Sequence, residues 1–166
     1  TFYTLANTPG TPTVNNPTNT TLDVLIDANS NPSNTEFAIL ETGGNYVQAN
    51  GSLGASAIWQ TASAWGTKTV TGLSGGTLYT FQVKARNGDN VATSFGSTAS
   101  ETTTSSVAPT VIDPTAASIT NTAALLGGNV SSDGGASITA RGVVWAETSL
   151  NNNPEILGTS VTNVAG

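Results

Sequence analysis

The chain contains no cysteine, no histidine and no methionine, and its only basic residues are Lys68, Lys84, Arg86 and Arg141. Each absence removes a class of function. Without His or Cys there is no side chain that titrates near neutrality unaided, no thiol nucleophile and neither of the commonest transition-metal ligands, so Ser-His-Asp or Cys-His catalysis cannot be assembled. Without Cys there is also no disulfide framework, and with Met missing too, little in the chain oxidises readily. That combination suits an extracellular life, and since small animal secreted domains often depend on disulfides, a prokaryotic secreted or cell-surface protein is expected. A net charge of −6 with four cations provides no electrostatic footprint for nucleic acid or an anionic membrane. No stretch approaches the roughly 18 apolar residues of a membrane-spanning helix, so membrane insertion is not expected. The chain opens at Thr1 without a charged-then-apolar leader, as a processed or excised segment would.

Charged residues make up 8% of the 166 residues and hydrophobic residues 37%, with Thr, Asn, Ser and Gly taking the place of charge. Disorder normally goes with high net charge and few β-branched residues, whereas this chain is rich in Thr, Val and Ile, so a packed fold is expected. No segment sustains a 3.6-residue period, and short alternating runs bounded by Gly, Pro, Asn and Ser recur throughout, which predicts an all-β chain. In TTLDVLIDA, Leu22, Val24 and Ile26 share one face and Asp23, Leu25 and Asp27 the other. In TEFAILE, Phe37 and Ile39 share a face, and in TLYTFQVKAR, Tyr79, Phe81, Val83 and Ala85 point one way while Thr80, Gln82, Lys84 and Arg86 point the other. Pro12 and Pro17 flank a first short strand, Gly43-Gly44 and Asn50-Gly51 follow the third, and Asn87-Gly88 closes the strongest. The stretch from Tyr46 to Thr71 is less regular and reads as an edge strand, a long loop and another strand.

The run GLSGGTLYTFQVKARNGD, residues 72–89, resembles the end of a fibronectin type III domain through Leu73, Gly76, Thr77, Tyr79, Phe81, Val83, Ala85 and Asn87. The family's Pro is Gly75 here and its closing Gly is displaced to Gly88. The resemblance implies a β-sandwich in which Leu73 and Tyr79 form a structural corner, the Tyr hydroxyl bonding nearby backbone. Many members carry a core Trp in the second strand, where this sequence has Leu22, Val24 and Ile26, so the core is expected to be packed differently. A second run, GGASITARGVVWAET at residues 134–148, resembles the third-strand region of fibronectin-like repeats in large bacterial surface proteins.

The frame PTVNNPT at residues 12–18 returns as PTVIDPT at 109–115, an offset of 97 residues. That offset predicts tandem sandwiches of about 100 residues each, the second incomplete. By this register the second unit has no counterpart of residues 70–97, while Thr1 falls on Thr98, so TFYTLA corresponds to the last strand, TASETT. The expected division is therefore 1–8, a strand belonging to a preceding or neighbouring sandwich; 9–104, a complete fibronectin type III-like domain; and 105–166, a partial one. Two explanations stand: a piece of a longer tandem array, or head-to-tail subunits in which Thr1, Phe2, Tyr3, Thr4, Leu5 and Ala6 pair with a neighbour's incomplete sheet.

The remaining chemistry is thin. Asp23 and Asp27 share a strand face and read as solubilising groups rather than a catalytic pair, so no enzyme is expected. Asp89 and Asp133 lie in turn-like loops without the alternating acidic spacing of a calcium loop, and no metal or cofactor is expected. Gly72–Thr77 lacks the Lys and strand-to-helix context of a phosphate cradle, and Asn87 interrupts what would otherwise be an adhesive Arg-Gly-Asp. Asn19, Asn50 and Asn129 head sequons that chance supplies in so Asn- and Thr-rich a chain. Trp59 and Trp65, beside small residues in the irregular region, are the candidates for stacking on a glycan, and Trp145 after Val143-Val144 is expected to be buried. The leading expectation is a structural repeat protein of a stalk or filament, with copies of itself or flanking repeats as partners. The alternative is a spacer or carbohydrate-binding module of a larger secreted enzyme or adhesin.

Overall fold

In the computed structural model, which describes residues 3–147, 149–150 and 162–165, the chain divides into two units, Thr1–Ser106 and Val107–Gly166. The first unit is built from short strands whose alternation sets which side chains face inward. They run β1 (Thr13–Asn15), β2 (Leu22–Leu25), β3 (Glu36–Glu41), β4 (Asn45–Val47), β5 (Leu53–Gly54), β6 (Gln60–Thr61), β7 (Thr67–Val70), β8 (Leu78–Arg86) and β9 (Ala99–Thr102). One sheet has the order β1-β2-β7 and the other β5-β4-β3-β8-β9, with β6 pairing β3. Every pairing is antiparallel. Two such sheets packed face to face, with consecutive strands changing sheets between β2 and β3, between β6 and β7 and again between β7 and β8, make the fibronectin type III-like sandwich.

The core follows the predicted faces. Leu22, Val24 and Val70 from one sheet meet Phe37, Ile39, Val47, Phe81, Val83 and Ala85 from the other, and all are buried. Burying such side chains is worth about 1.5–3 kcal/mol each, which makes this alternation the main determinant of the fold. The tryptophan missing from β2 is supplied from elsewhere. A single helical turn, α1 (Ala62–Trp65), interrupts the chain between β6 and β7, with Thr61 as its N-cap accepting from Ala64 N–H. It swings Trp65 into the core at 2% exposure, where the indole Nε1–H donates to the Phe37 carbonyl at 2.9 Å. A four-residue turn has no sequence period of its own, so only an irregular connection could be read there.

The second unit has β10 (Thr110–Ala117) paired with β11 (Leu125–Ser132), and β12 (Gly142–Trp145) paired with β13 (Thr162–Ala165), as separate two-stranded sheets. Each of these strands has one partner among the described residues, where β2 has two and β3 is flanked by β4, β6 and β8. The repeated frame holds one backbone detail in both units. Asn16 and Asp113, each preceding a proline, adopt left-handed conformations with φ of 51° and 50°. A pre-proline residue is barred from the ordinary α region, and Asn and Asp tolerate the left-handed one best. Both strands bend at this point, but they bend toward different partners. After Pro17 the chain leaves β2, and the Thr18 carbonyl accepts from Thr104 N–H at 2.9 Å beside β9. After Pro114, a register shift lets Thr115, Ala116 and Ala117 stay on β11.

Candidate functional site

The corner at the start of β8 is a hydrogen-bonded lock. Ser74 N–H donates to the Tyr79 hydroxyl at 2.9 Å, and Leu73 is buried beneath it. Thr103, which no pattern in the sequence singles out, completes the lock at 2% exposure: its hydroxyl donates to the Ser74 carbonyl at 2.6 Å and accepts from Thr77 N–H at 3.0 Å. Asn87 does the same at the far end of β8. Its Oδ1 accepts from Asp89 and Val91 N–H, and its Nδ2 donates to the Thr4 carbonyl. These residues hold backbone in place and offer no reactive group.

The two tryptophans expected to face a glycan lie in different surroundings. Trp65 is a correction outright, since its ring is a core side chain with its N–H already used. Trp59 lies on the outer face of the larger sheet, but Arg86 Cζ sits 4.6 Å from its centroid and Lys84 Nζ 5.3 Å away. Lys84 is also 5.4 Å from Tyr46 and 5.0 Å from Phe95, so three rings surround one ammonium. Arg86 in turn donates from Nη2 to Glu36 Oε2 at 2.6 Å. Cation–π contacts of this kind are worth about 0.5–2 kcal/mol, and Ala38, in register with Lys84, is buried. The outward positions of Lys84 and Arg86 were legible from alternation; their aromatic neighbours, distant in sequence, were not.

The amino-terminal segment lies within the first unit. Tyr3 packs its ring over Gly88, the Thr4 carbonyl takes the Asn87 bond, and Asn7 exchanges hydrogen bonds with Asn31, its N–H to Asn31 Oδ1 at 2.8 Å and Asn31 Nδ2 back to its carbonyl. Tyr3–Ala6 forms no strand, and Leu5 is 75% exposed. Thr1 and Phe2 lie outside the described residues.

In the second unit several apolar side chains face solvent. Val111 is 61% exposed, whereas Val14, its counterpart at the same offset, packs against the first unit's core. Trp145, expected to be buried, is 47% exposed, because no further strand covers its sheet among the described residues. Two clefts result. One of about 440 Å³ is lined by Ile119, Leu126 and Trp145, and one of about 430 Å³ lies between Val111, Leu126 and Val130 on one sheet and Val143 and Val144 on the other.

No family model and no curated protein matches this chain. Among solved structures it is similar to a two-fibronectin-type-III-domain segment of chicken tenascin, at 18% identity over 96% of this chain and 78% of that one, with a TM-score of 0.42. It is also similar to a myokine structure, at 14% identity over 60% of this chain and 98% of that one, with a TM-score of 0.38. The fold is read from the strand order and the Tyr79 corner, not from these likenesses.

Several of the acids support local structure. Asp23 accepts from the Thr69 hydroxyl at 2.6 Å and from Asn16 Nδ2 at 3.0 Å, and these bonds hold its carboxyl below the ordinary value against a small opposing effect of burial. Asp133 Oδ1 accepts from Gly135 N–H in a turn, and Asn50 Oδ1 accepts from both the N–H and the hydroxyl of Ser52. Among the described residues no group of three acids gathers as a metal site would need, and no helix is long and apolar enough to cross a membrane.

Proposed function

We propose that this protein is a structural β-sandwich repeat module of an extracellular stalk or filament, without catalytic activity, and that its second unit is completed by strand addition. The observation that carries this reading is the exposure of Val111, Leu126 and Trp145 on strands that each have one partner among the described residues. In the first unit, equivalent strand faces are sealed by β7 and β8. Two-stranded sheets with apolar faces are marginal in water, and a partner strand supplies both backbone hydrogen bonds and cover. A heterologous contact of this type propagates into a fibre unless it closes into a ring. Backbone pairing and apolar burial then carry load along the fibre.

Light scattering across a concentration series, with negative-stain imaging of the same samples, tests the reading. Elongated multimers that grow with concentration are expected. A chain that remains monomeric throughout, with its apolar faces open, overturns it. A glycan-binding spacer finds less support, because Trp65 is buried and Trp59 already holds two cations.

A further inference from the structure

The first unit shows which strand stands beside the bent end of the repeated frame, and the offset of the frame then names its counterpart for the second unit. In the first unit the Thr18 carbonyl, just past Pro17, accepts from Thr104 N–H, and Thr104 lies two residues past the end of β9. Adding 97 to Thr18 gives Thr115, and subtracting 97 from Thr104 gives Asn7, so the stretch Tyr3–Ala6 falls on Ser100–Thr103 around the end of β9. Resting on the strand-addition reading, we infer that the strand seated beside Pro114–Ala117 is the Tyr3–Ala6 segment of a second copy of this chain.

Three observations support this occupant. Tyr3–Ala6 belongs to no ladder, and the backbone hydrogen bond described for it is the one from Asn87 Nδ2 to the Thr4 carbonyl, which leaves an edge for pairing. Its two large described side chains, Tyr3 and Leu5, are 42% and 75% exposed and alternate along the segment as a strand face requires. The acceptor matches it: Pro114–Ala117 is exposed along its whole length, ends beside the cleft lined by Ile119, Leu126 and Trp145, and is held to β11 through a register shift. An exposed edge strand, with backbone groups open on one side, is where an added strand docks. The spacing from donor to the next sandwich also repeats. Ala6 precedes β1 at Thr13 much as Thr103 precedes β10 at Thr110, so the link between copies has the length of the link between units.

Complementation between two full-length variants tests the assignment. Leu5→Pro removes a backbone N–H from the donor and leaves the acceptor whole; Leu126→Asp places a charge in both clefts of the acceptor and leaves the donor whole. Each variant alone is expected to lose the multimers that the unaltered chain forms, and an equimolar mixture is expected to form a one-to-one dimer and nothing larger. Multimers of Leu5→Pro equal to those of the unaltered chain overturn the inference and leave strand addition standing with a different donor. An unaltered chain that stays monomeric overturns both. A mixture that stays monomeric while the unaltered chain assembles also overturns the assignment of donor and acceptor to these segments.

Discussion

Tyr79 and Trp65 are both aromatic residues of the first unit with a single polar bond to backbone, yet they carry different loads. Tyr79→Phe removes only the bond from Ser74 N–H, which solvent can replace because Ser74 is exposed, so a loss of about 1 kcal/mol is expected from the urea midpoint. Trp65→Ala empties a buried site and strands the Phe37 carbonyl, and about 3–5 kcal/mol is expected by the same measurement. Asp23 contributes to the acid limb. Its folded pKa lies below the unfolded one, so the carboxylate stabilises the fold above its unfolded pKa, and that contribution is lost as pH falls through the folded value. Unfolding followed between neutrality and pH values below about 4 should therefore show a smaller acid-induced loss in Asp23→Asn than in the unaltered chain. The facing of Tyr79 and Asp23 was legible from alternation. The partners Ser74 for Tyr79 and Thr69 and Asn16 for Asp23 were not, since they depend on how turns and strands meet.

At the scale of elements, β2, β3 and β8 could be read because period-two alternation and their bounding turns survive folding unchanged. The stretch between β4 and β7 could not, because two-residue strands and one helical turn are decided by what they pack against. The turn between β4 and β5 shows this dependence. Gly51 has a φ of +89°, its N–H donates to the Gln48 carbonyl, and its carbonyl accepts from Thr71 N–H. A Cβ there would overlap the Thr69 carbonyl oxygen of β7, which is backbone and cannot swing away. Gly51→Ala is expected to cost at least about 2 kcal/mol in thermal or urea unfolding. Gly44, whose added Cβ would meet nothing, is the control: there only the positive φ penalises alanine.

At the scale of the whole molecule, the two units differ in how much of their apolar surface is covered, and unfolding should show it. The first unit, with a sealed core, is expected to unfold in one cooperative transition independent of concentration. The second, with Val111, Leu126 and Trp145 exposed, is expected to gain stability as concentration rises, by mass action on whatever strand completes it. Tryptophan fluorescence separates the two, since Trp65 is 2% exposed in the first unit and Trp145 is 47% exposed in the second. Coincident transitions at every concentration would count against two separately stabilised units.

By itself the sequence determined the all-β class, the faces of the long strands and the repeat offset, because these follow from local period and turn chemistry, while the corner at Tyr79 was implied by the resemblance to fibronectin type III domains. It also determined the absence of histidine and cysteine chemistry, which no fold can restore. Only the tertiary structure decided that Trp65 is core while Trp145 is not, that Lys84 is ringed by Tyr46, Trp59 and Phe95, and that Thr103 locks the corner. Those outcomes depend on residues brought together from different strands, and on whether a neighbouring strand covers a face. Composition and spacing describe neither.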